Sequence, residues 1–244
     1  MRSKATLTLC SLALIAGVAN AESHGTYITG EVAQTSTDAE VQVAGVLVND
    51  TVAEEPGTGF DSDVSWGAAI GYRLKNGLAL ELEYTNINFK TDRAPQSIPV
   101  RPEWEPFLEG ATTEDFIYTG EAEIHNYALN VSYHYQNSSR WTPFARVGYG
   151  YAEVDVTTNY SEQPRFEIFA LPSEVFEPSN SSGSTWNAGL GVAWALYDAL
   201  EFELEYIHSN YDTDGNTGRV ESGNSIEYRD FSNDRIALSF RFWM

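Results

Sequence analysis

The sequence has 244 residues, of which 35 are acidic and 14 basic, and its formal charge is −21. Such a charge repels nucleic acid and anionic lipid, so neither is an expected partner. After position 21 the longest plainly apolar run is Val43 to Val48, which is too short for a membrane-spanning helix. The mature chain could therefore cross a membrane only with strands.

The first 21 residues have the features of a cleaved secretory signal peptide. Arg2 and Lys4 precede an apolar stretch that ends in Ala19-Asn20-Ala21. A basic start, an apolar centre and small residues before the cleavage site predict cleavage after Ala21. Cys10 lies within this segment, so the mature chain has no cysteine, and its formal charge becomes −23.

Alternation of apolar and polar residues predicts eight strands, because successive side chains of a strand point to opposite faces. Each run has about 8–12 residues, close to the roughly 9–11 needed to cross a bilayer at a tilt. The runs are Tyr27 to Ala33, Val64 to Leu74, Leu78 to Asn88, Ile124 to Tyr135, Thr142 to Glu153, Trp186 to Leu196, Ala199 to Asn210 and Arg235 to Met244.

The predicted connections alternate in length. Short turns lie at 75–77, where Asn76-Gly77 favours a hairpin, and at 136–140 and 197–199. Long acidic loops lie at 34–63, 89–123, 154–185 and 211–234. Val41 to Val48 and Arg165 to Leu171 could also be strands. An extra crossing would put long loops on both sides, so we interpret both segments as extensions above the membrane or pieces in the barrel mouth.

Two stretches of the sequence are nearly repeated at a distance of 122 residues. The segment "LALELEYTNIN" at 78–88 resembles the segment at 199–210. At the same offset, Gly67 matches Gly189 and Tyr84 matches Tyr206. The repeat predicts two similar hairpins half a barrel apart. Similar constraints on all barrel strands explain it equally well.

Residue size indicates which face points inward. The polar faces carry small residues such as Gly71, Gly148 and Gly191, whereas the apolar faces carry Trp66 and Trp186. An eight-stranded barrel has little internal room, so we expect the glutamate face inside and the apolar face in lipid. Aromatic residues near strand ends are expected to form the interfacial girdles: Tyr72, Tyr84, Tyr133, Tyr135, Tyr151, Trp186, Trp194 and Tyr206.

Carboxylates inside such a barrel need partners, because an unpaired buried charge is costly. The inward positions also carry arginines, which predicts a charge network that plugs the lumen. Its expected members are Arg73, Glu81, Glu83, Arg146, Glu201, Glu203, Glu205, Arg235 and Arg241, with Glu31 as a further candidate.

These features resemble the small OmpA/opacity-type outer-membrane β-barrel family. The segments that carry the resemblance include "GYRLKNGLALELEY" at 71–84, "TPFARVGYGYA" at 142–152 and the Phe-rich last strand. The resemblance implies an all-β, eight-stranded antiparallel up-and-down transmembrane barrel with long extracellular loops over residues 22–244. It also implies a Gram-negative outer membrane location. In the family an aromatic end of the last strand is read by the barrel-assembly machinery. Here Phe242 precedes Trp243 and Met244.

The family resemblance implies a mostly non-enzymatic role, and we expect a monomeric surface protein that is adhesin-like or stabilises the envelope. The surplus of glutamates leaves a second function open, a narrow porin-like channel for small cations. A lipid-modifying enzyme built on His208 and Ser209 is disfavoured, because consecutive side chains of a strand point in opposite directions.

No cofactor or metal site is predicted. His24, His125 and His134 have no ligand spacing. "DTDGNTG" at 212–218 resembles the start of a calcium loop, but Thr217 and Gly223 occupy positions where that motif needs Gly and Glu. The acidic loops, with Arg101 to Phe107 and Ser173 to Asn180, could form a recognition surface for an extracellular ligand or pack over the mouth.

Overall fold

The computed structural model describes residues 24–44, 51–53, 63–90, 96–99, 102–103, 105–107, 110, 113–161, 179–213, 216–219 and 225–244. The predicted signal peptide and the segment 165–171 lie outside these ranges. The strands are β1 (Gly25–Ala44), β2 (Thr51–Ala53), β3 (Asp63–Arg73), β4 (Leu78–Lys90), β5 (Gln96–Pro99), β6 (Thr113–His134), β7 (Trp141–Ser161), β8 (Ser179–Tyr197), β9 (Leu200–Thr213), β10 (Asn216–Arg219) and β11 (Ser225–Trp243). Among the described residues, no helix is long and apolar enough to cross a membrane.

Eight of these strands form a closed antiparallel ring. The order is β1-β3-β4-β6-β7-β8-β9-β11, and β11 pairs back with β1, with Val32 opposite Leu238. Three short strands lie outside the ring. β2 pairs with β1, β5 with β6 and β10 with β11. The predicted fold, an eight-stranded antiparallel up-and-down barrel, is confirmed.

The barrel has its apolar face outside and its carboxylates inside. Leu80 and Leu204 are 52% and 45% exposed, whereas Glu203 is 4% exposed. Because apolar surface of this extent is stable only in contact with lipid, the barrel has the polarity of a membrane protein. Most of the predicted girdle aromatics are exposed, and Trp194 is half-buried because it stacks on Trp141 at 5.1 Å.

The barrel interior also contains large aromatic rings, which the size argument did not predict. Tyr27 and Phe144 are buried inside. They fit because glycines lie beside them: a Cβ at Gly71 would collide with the Tyr27 ring, and one at Gly191 with Phe144. Small residues in this barrel therefore make room for particular neighbours.

Seven of the eight ring strands are longer than the sequence predicts, and β3 has the predicted length. The ring strands have 11 to 22 residues, and β6 begins at Thr113, well inside the predicted loop 89–123. The predicted loops 34–63, 154–185 and 211–234 are likewise wrong in part, since β1, β7, β8 and β11 continue into them. Backbone pairing needs no lipid-facing apolar residues, so the ladders persist beyond the membrane, where those residues end. Val41 to Ala44 lie on such an extension of β1.

The short connections all lie at one end of the barrel. Gly77 closes the β3–β4 turn with a φ of +88°, which favours glycine, and its N–H donates to the carbonyl of Leu74. The β3–β4 and β8–β9 hairpins carry the near-repeat. They stand four strands apart in the ring of eight, on opposite sides of the lumen.

Candidate functional site

The candidate site is the charged lumen. The inward positions of β3, β4, β7, β9 and β11 bring the predicted residues together, and each is less than a tenth exposed. The nine are Arg73, Glu81, Glu83, Arg146, Glu201, Glu203, Glu205, Arg235 and Arg241. Glu31 on β1 joins them, with 7% of its side chain exposed. They form two groups at different heights in the barrel.

The group near the short turns is called here the short-turn cluster: Arg73, His134, Glu201, Glu203 and Arg241. Arg73 donates from both terminal nitrogens to the carboxylate of Glu201, at 2.8 and 3.2 Å. Arg241 donates to Glu201 at 2.8 Å and to Glu203 at 2.5 Å. Two guanidiniums thus balance two carboxylates. The Arg73–Glu201 pair has the two-point geometry that makes arginine–carboxylate pairs strong, whereas Arg241 bridges the two glutamates with one nitrogen, Nη1.

Aromatic rings enclose the short-turn cluster. The Arg241 guanidinium lies 4.2 Å from the centre of the Tyr27 ring, and that of Arg73 lies 4.8 Å from the Trp243 ring. His134 stacks on Phe144 at 4.7 Å. A ring face attracts a cation, so these rings stabilise the arginines while excluding water. The sequence prediction missed these partners, although each lies at an inward position of its strand.

The second group, called here the central cluster, consists of Glu31, Glu81, Glu83, Arg146, Glu205 and Arg235. Glu83 is its most heavily bonded member. It accepts from Arg146 at 2.7 Å and from Arg235 at 3.4 Å. Thr85 and Asn130 also donate to it, at 2.8 and 2.7 Å. Four donors therefore surround one carboxylate.

The other carboxylates of the central cluster are held less evenly. Glu31 accepts from Arg235 at 3.0 Å. Glu205 lies 3.1 Å from Arg146 Nε without hydrogen-bond geometry. Glu81 lies between the two clusters, 3.5 Å from Arg146 and 3.6 Å from Arg241. Four carboxylates in this cluster face two guanidiniums.

A histidine and two glutamates of the short-turn cluster could in principle hold a metal ion. The ligand atoms of His134, Glu201 and Glu203 lie within 4.8 Å of one another. The histidine spacing did not indicate this group, because the partners come from another strand. However, Arg73 contacts His134 Nε2 at 3.2 Å as well as Glu201. The arginines occupy the positions that a cation would need.

His208 lies on the outer surface of the barrel, at the upper limit of the lipid-facing apolar residues. Its Nδ1 is 2.9 Å from Asp234, which also accepts a hydrogen bond from Tyr206 at 2.6 Å. Ser209 points into the barrel and is fully buried. His208 and Ser209 therefore face opposite sides of the wall, and this separation does not support a nucleophile–base pair.

Above the apolar zone the outer surface becomes acidic. Asp63, Glu121, Glu123 and Asp155 line a depression of about 240 Å³. Lys90 shares this surface and pairs with Glu121 at 2.6 Å. The hydrogen bond to Glu121 and its negative charge raise the pKa of Lys90 above its ordinary value. Glu121, Glu123 and Asp155 occupy outward positions of their strands, and Asp63 lies at the end of β3 beside them. These four carboxylates define the acidic surface.

A closed barrel with a lipid-facing apolar wall and a charged lumen defines the class of outer-membrane β-barrel proteins. Residues 6–242 match the outer membrane protein beta-barrel domain family, and the chain belongs to this family. It is an outer-membrane protein of a Gram-negative bacterium. A search of curated protein sequences finds no significant match.

Solved structures with the same fold include the outer membrane protein OprG from Pseudomonas aeruginosa. OprG is 14% identical, with a TM-score of 0.51, and the similarity covers 91% of this chain and 97% of OprG. Neisserial surface protein A is 13% identical, with a TM-score of 0.45 and coverage of 90% and 97%. The outer membrane protease OmpT from Escherichia coli is 10% identical, with a TM-score of 0.45 and the same coverage. At 14% identity the similarity to OprG concerns the fold alone.

Proposed function

We propose that this outer-membrane barrel has a structural or interaction role, as an adhesin-like or envelope-stabilising surface protein. The observation that carries the proposal is the filled lumen. Near the short turns, Arg73, Arg241 and their two glutamates are nearly inaccessible to solvent, with the Tyr27 ring beside them. A lumen filled by paired charges favours a barrel that anchors what it presents outside.

The acidic surface supports a cationic partner for the outer part of the protein. Asp63, Glu121, Glu123 and Asp155 lie close together there, and the whole chain has a formal charge of −21. Charge complementarity speeds the encounter of oppositely charged surfaces and weakens as salt rises. A basic protein surface is the ligand class that this chemistry recognises.

Binding of charged polymers tests this role. The barrel is placed in lipid nanodiscs, and its binding to immobilised polylysine and heparin is measured. We expect salt-sensitive binding to polylysine that falls about tenfold in the triple variant E121Q/E123Q/D155N. Asp198→Asn, in the short turn at the opposite end, serves as the control and should bind as the wild type does. Equal binding by all three proteins, or preference for heparin, would contradict the proposal.

A narrow cation channel is the alternative function, and planar-bilayer conductance distinguishes it. The plugged lumen predicts no sustained conductance by the purified, folded protein. A stable conductance that changes in Glu81→Gln or Glu203→Gln would instead support the channel.

We also propose that the protein is not an enzyme. Lipid A of identical mass with and without the protein is the expected result, and altered acylation would contradict it.

We further propose that residues 1–21 are removed as a signal peptide and that residues 22–244 form the mature barrel. The apolar alternation of β11 up to Phe242 supports recognition by the barrel-assembly machinery. Mass spectrometry of the mature protein tests the cleavage site after Ala21. Light scattering of the folded protein tests the expected monomer. Heat-dependent migration on SDS gels tests whether variants truncated after Phe240, which lack the end of β11, still fold.

A further inference from the structure

The lumen needs a closure at the end of the barrel that carries the short turns. Arg73, Glu201 and Arg241 lie near this end, yet each is at most 4% exposed. The short turns of such barrels face the periplasm, which is aqueous. Water among these side chains would weaken their ion pairs, because charges attract one another less strongly at a high dielectric constant. A side chain must therefore stand between the short-turn cluster and the periplasm.

Trp243 occupies that position. Arg241 and Trp243 are successive inward positions of β11, and Trp243 is the one at the end of the strand. Its N–H donates to the carbonyl of Ala199, in the β8–β9 turn, at 3.0 Å. The residue therefore lies at the level of the short turns. Trp243 is half-buried, whereas Arg241 behind it is 4% exposed.

The indole ring of Trp243 covers the charged side chains from the periplasmic side. The Arg73 guanidinium lies 4.8 Å from the ring centre, and that of Arg241 lies 6.0 Å from it. Both distances are within the range of cation–π attraction. The ring also packs edge-on with Tyr27, with 5.1 Å between the two ring centres. One tryptophan thus lies against both arginines of the cluster.

Backbone hydrogen bonds hold the end of β11 on both of its sides. On one side is the bond from Trp243 to Ala199 in the β8–β9 turn. On the other, Trp243 pairs with Tyr27 of β1, and the N–H of Met244 donates to the carbonyl of Thr26 at 3.0 Å. A residue held in this way forms a fixed closure of the mouth.

We propose that Trp243 closes the periplasmic mouth of the lumen and keeps water away from the short-turn cluster. An aromatic ring suits this task because its face stabilises the neighbouring arginines without adding a charge. Phe242 cannot serve in the same way, since it lies on the opposite side of the strand. The closure belongs to the barrel itself and is independent of any partner bound at the outer surface.

Reaction of a single buried thiol with a water-soluble reagent tests the proposal. Ala79→Cys, combined with Cys10→Ser, places a thiol on β4 opposite Arg73, where Ala79 is 2% exposed. The protein is folded into detergent micelles, and labelling by a charged methanethiosulfonate is followed by mass spectrometry. Adding Trp243→Ala should speed labelling about tenfold or more, because access to a buried group follows the population of open states. Adding Trp243→Phe, which retains a ring, should leave labelling slow.

Two control variants distinguish opening of this mouth from general loosening of the barrel. Trp141→Ala removes an exposed ring from the outer wall at the same end and should leave labelling unchanged. Phe231→Ala opens space inside the opposite end, where Phe231 is fully buried, and should lower the urea midpoint without faster labelling. Should Ala79→Cys show no heat-modifiable band on SDS gels, Ser132→Cys on the neighbouring strand replaces it as the reporter. Equal labelling with and without Trp243→Ala, or the same acceleration by Phe231→Ala, would overturn the proposal.

Discussion

Arg73 and Arg241, near the short turns, meet two glutamates, whereas Arg146 and Arg235, higher in the barrel, meet four. The same residue types thus form a balanced network in one place and a negatively charged one in another. In the short-turn cluster each arginine is needed to neutralise a glutamate. In the central cluster some carboxylates repel one another, so losing one relieves the others. The energetic role of a buried glutamate here depends on which arginines its neighbours already engage.

Arg241→Met should produce the largest effect, because it leaves Glu201 and Glu203 with one arginine between them. Removing one partner of a buried pair costs about 3–5 kcal/mol. The measurement is urea unfolding of the barrel in lipid vesicles. Arg140→Met, on the exposed turn at the same end, is the control and should leave the midpoint unchanged. If the two variants unfold alike, the short-turn cluster does not stabilise the fold.

A pair of amide substitutions tests the difference between the clusters directly. Glu201→Gln breaks charged hydrogen bonds to Arg73 and Arg241 and should cost about 2–3 kcal/mol. Glu81→Gln should cost less than about 1 kcal/mol or be stabilising, because Glu81 is one of four carboxylates in the central cluster that face two arginines. Both are followed by urea unfolding. Equal losses would show that the two clusters are energetically alike.

Substitution of two glycines compares how tightly the two clusters are packed. Gly71→Ala would push the Tyr27 ring away from Arg241 and should cost about 1–3 kcal/mol, as overpacking does. At Gly189 a Cβ would mainly meet the carboxylate of Glu205, which can move because few groups hold it. Gly189→Ala should therefore cost less. A larger loss for Gly189→Ala would contradict the loose packing inferred for the central cluster.

The smallest effect is expected outside the lumen, at the exposed pair of Lys90 and Glu121. Since the folded pKa of Lys90 is raised, any stability from the pair is fully present below its ordinary value of 10.5 and is lost as the pH rises through the higher folded value. Solvent screens such a pair, so Lys90→Met should leave the urea midpoint unchanged near neutral pH. A clear loss would mean that the buried clusters do not dominate the electrostatic stability.

The sequence predicted the barrel because strand alternation and turn chemistry are local signals. Asn76-Gly77 marks a turn whatever surrounds it, and the alternation of side chains around Glu203 predicts that Glu203 points inward. The same odd–even alternation predicts which of the other charged residues point inward. It could not pair them, because partners such as Arg235 and Glu31 are separated by 204 positions. Their contact depends on the closure of β11 against β1.

Two features of the structure could not be derived from alternation. Above the membrane the strand extensions lose their outward-facing apolar residues. The β8 extension and the first part of the β1 extension are polar on both faces, whereas β7 and β11 place Val154, Val156 and Phe231 inside the barrel, so no lipid-facing apolar period marks these segments and the sequence predicts loops there. The rings inside the barrel were missed for a different reason. Tyr27 occupies an inward position that suits a small residue, and only the glycine at position 71 on the adjacent strand makes room for it. Such compensation depends on register between strands.

The length of β6 determines how far the protein rises above the cell surface. At about 3.3 Å per residue, its 22 residues span roughly 73 Å, and a tilt near 40° reduces this to a height of about 55 Å. The apolar band of such barrels is only about 25 Å tall. Roughly 30 Å of hydrogen-bonded ladder therefore extends beyond the hydrocarbon, as a rigid continuation of the barrel wall.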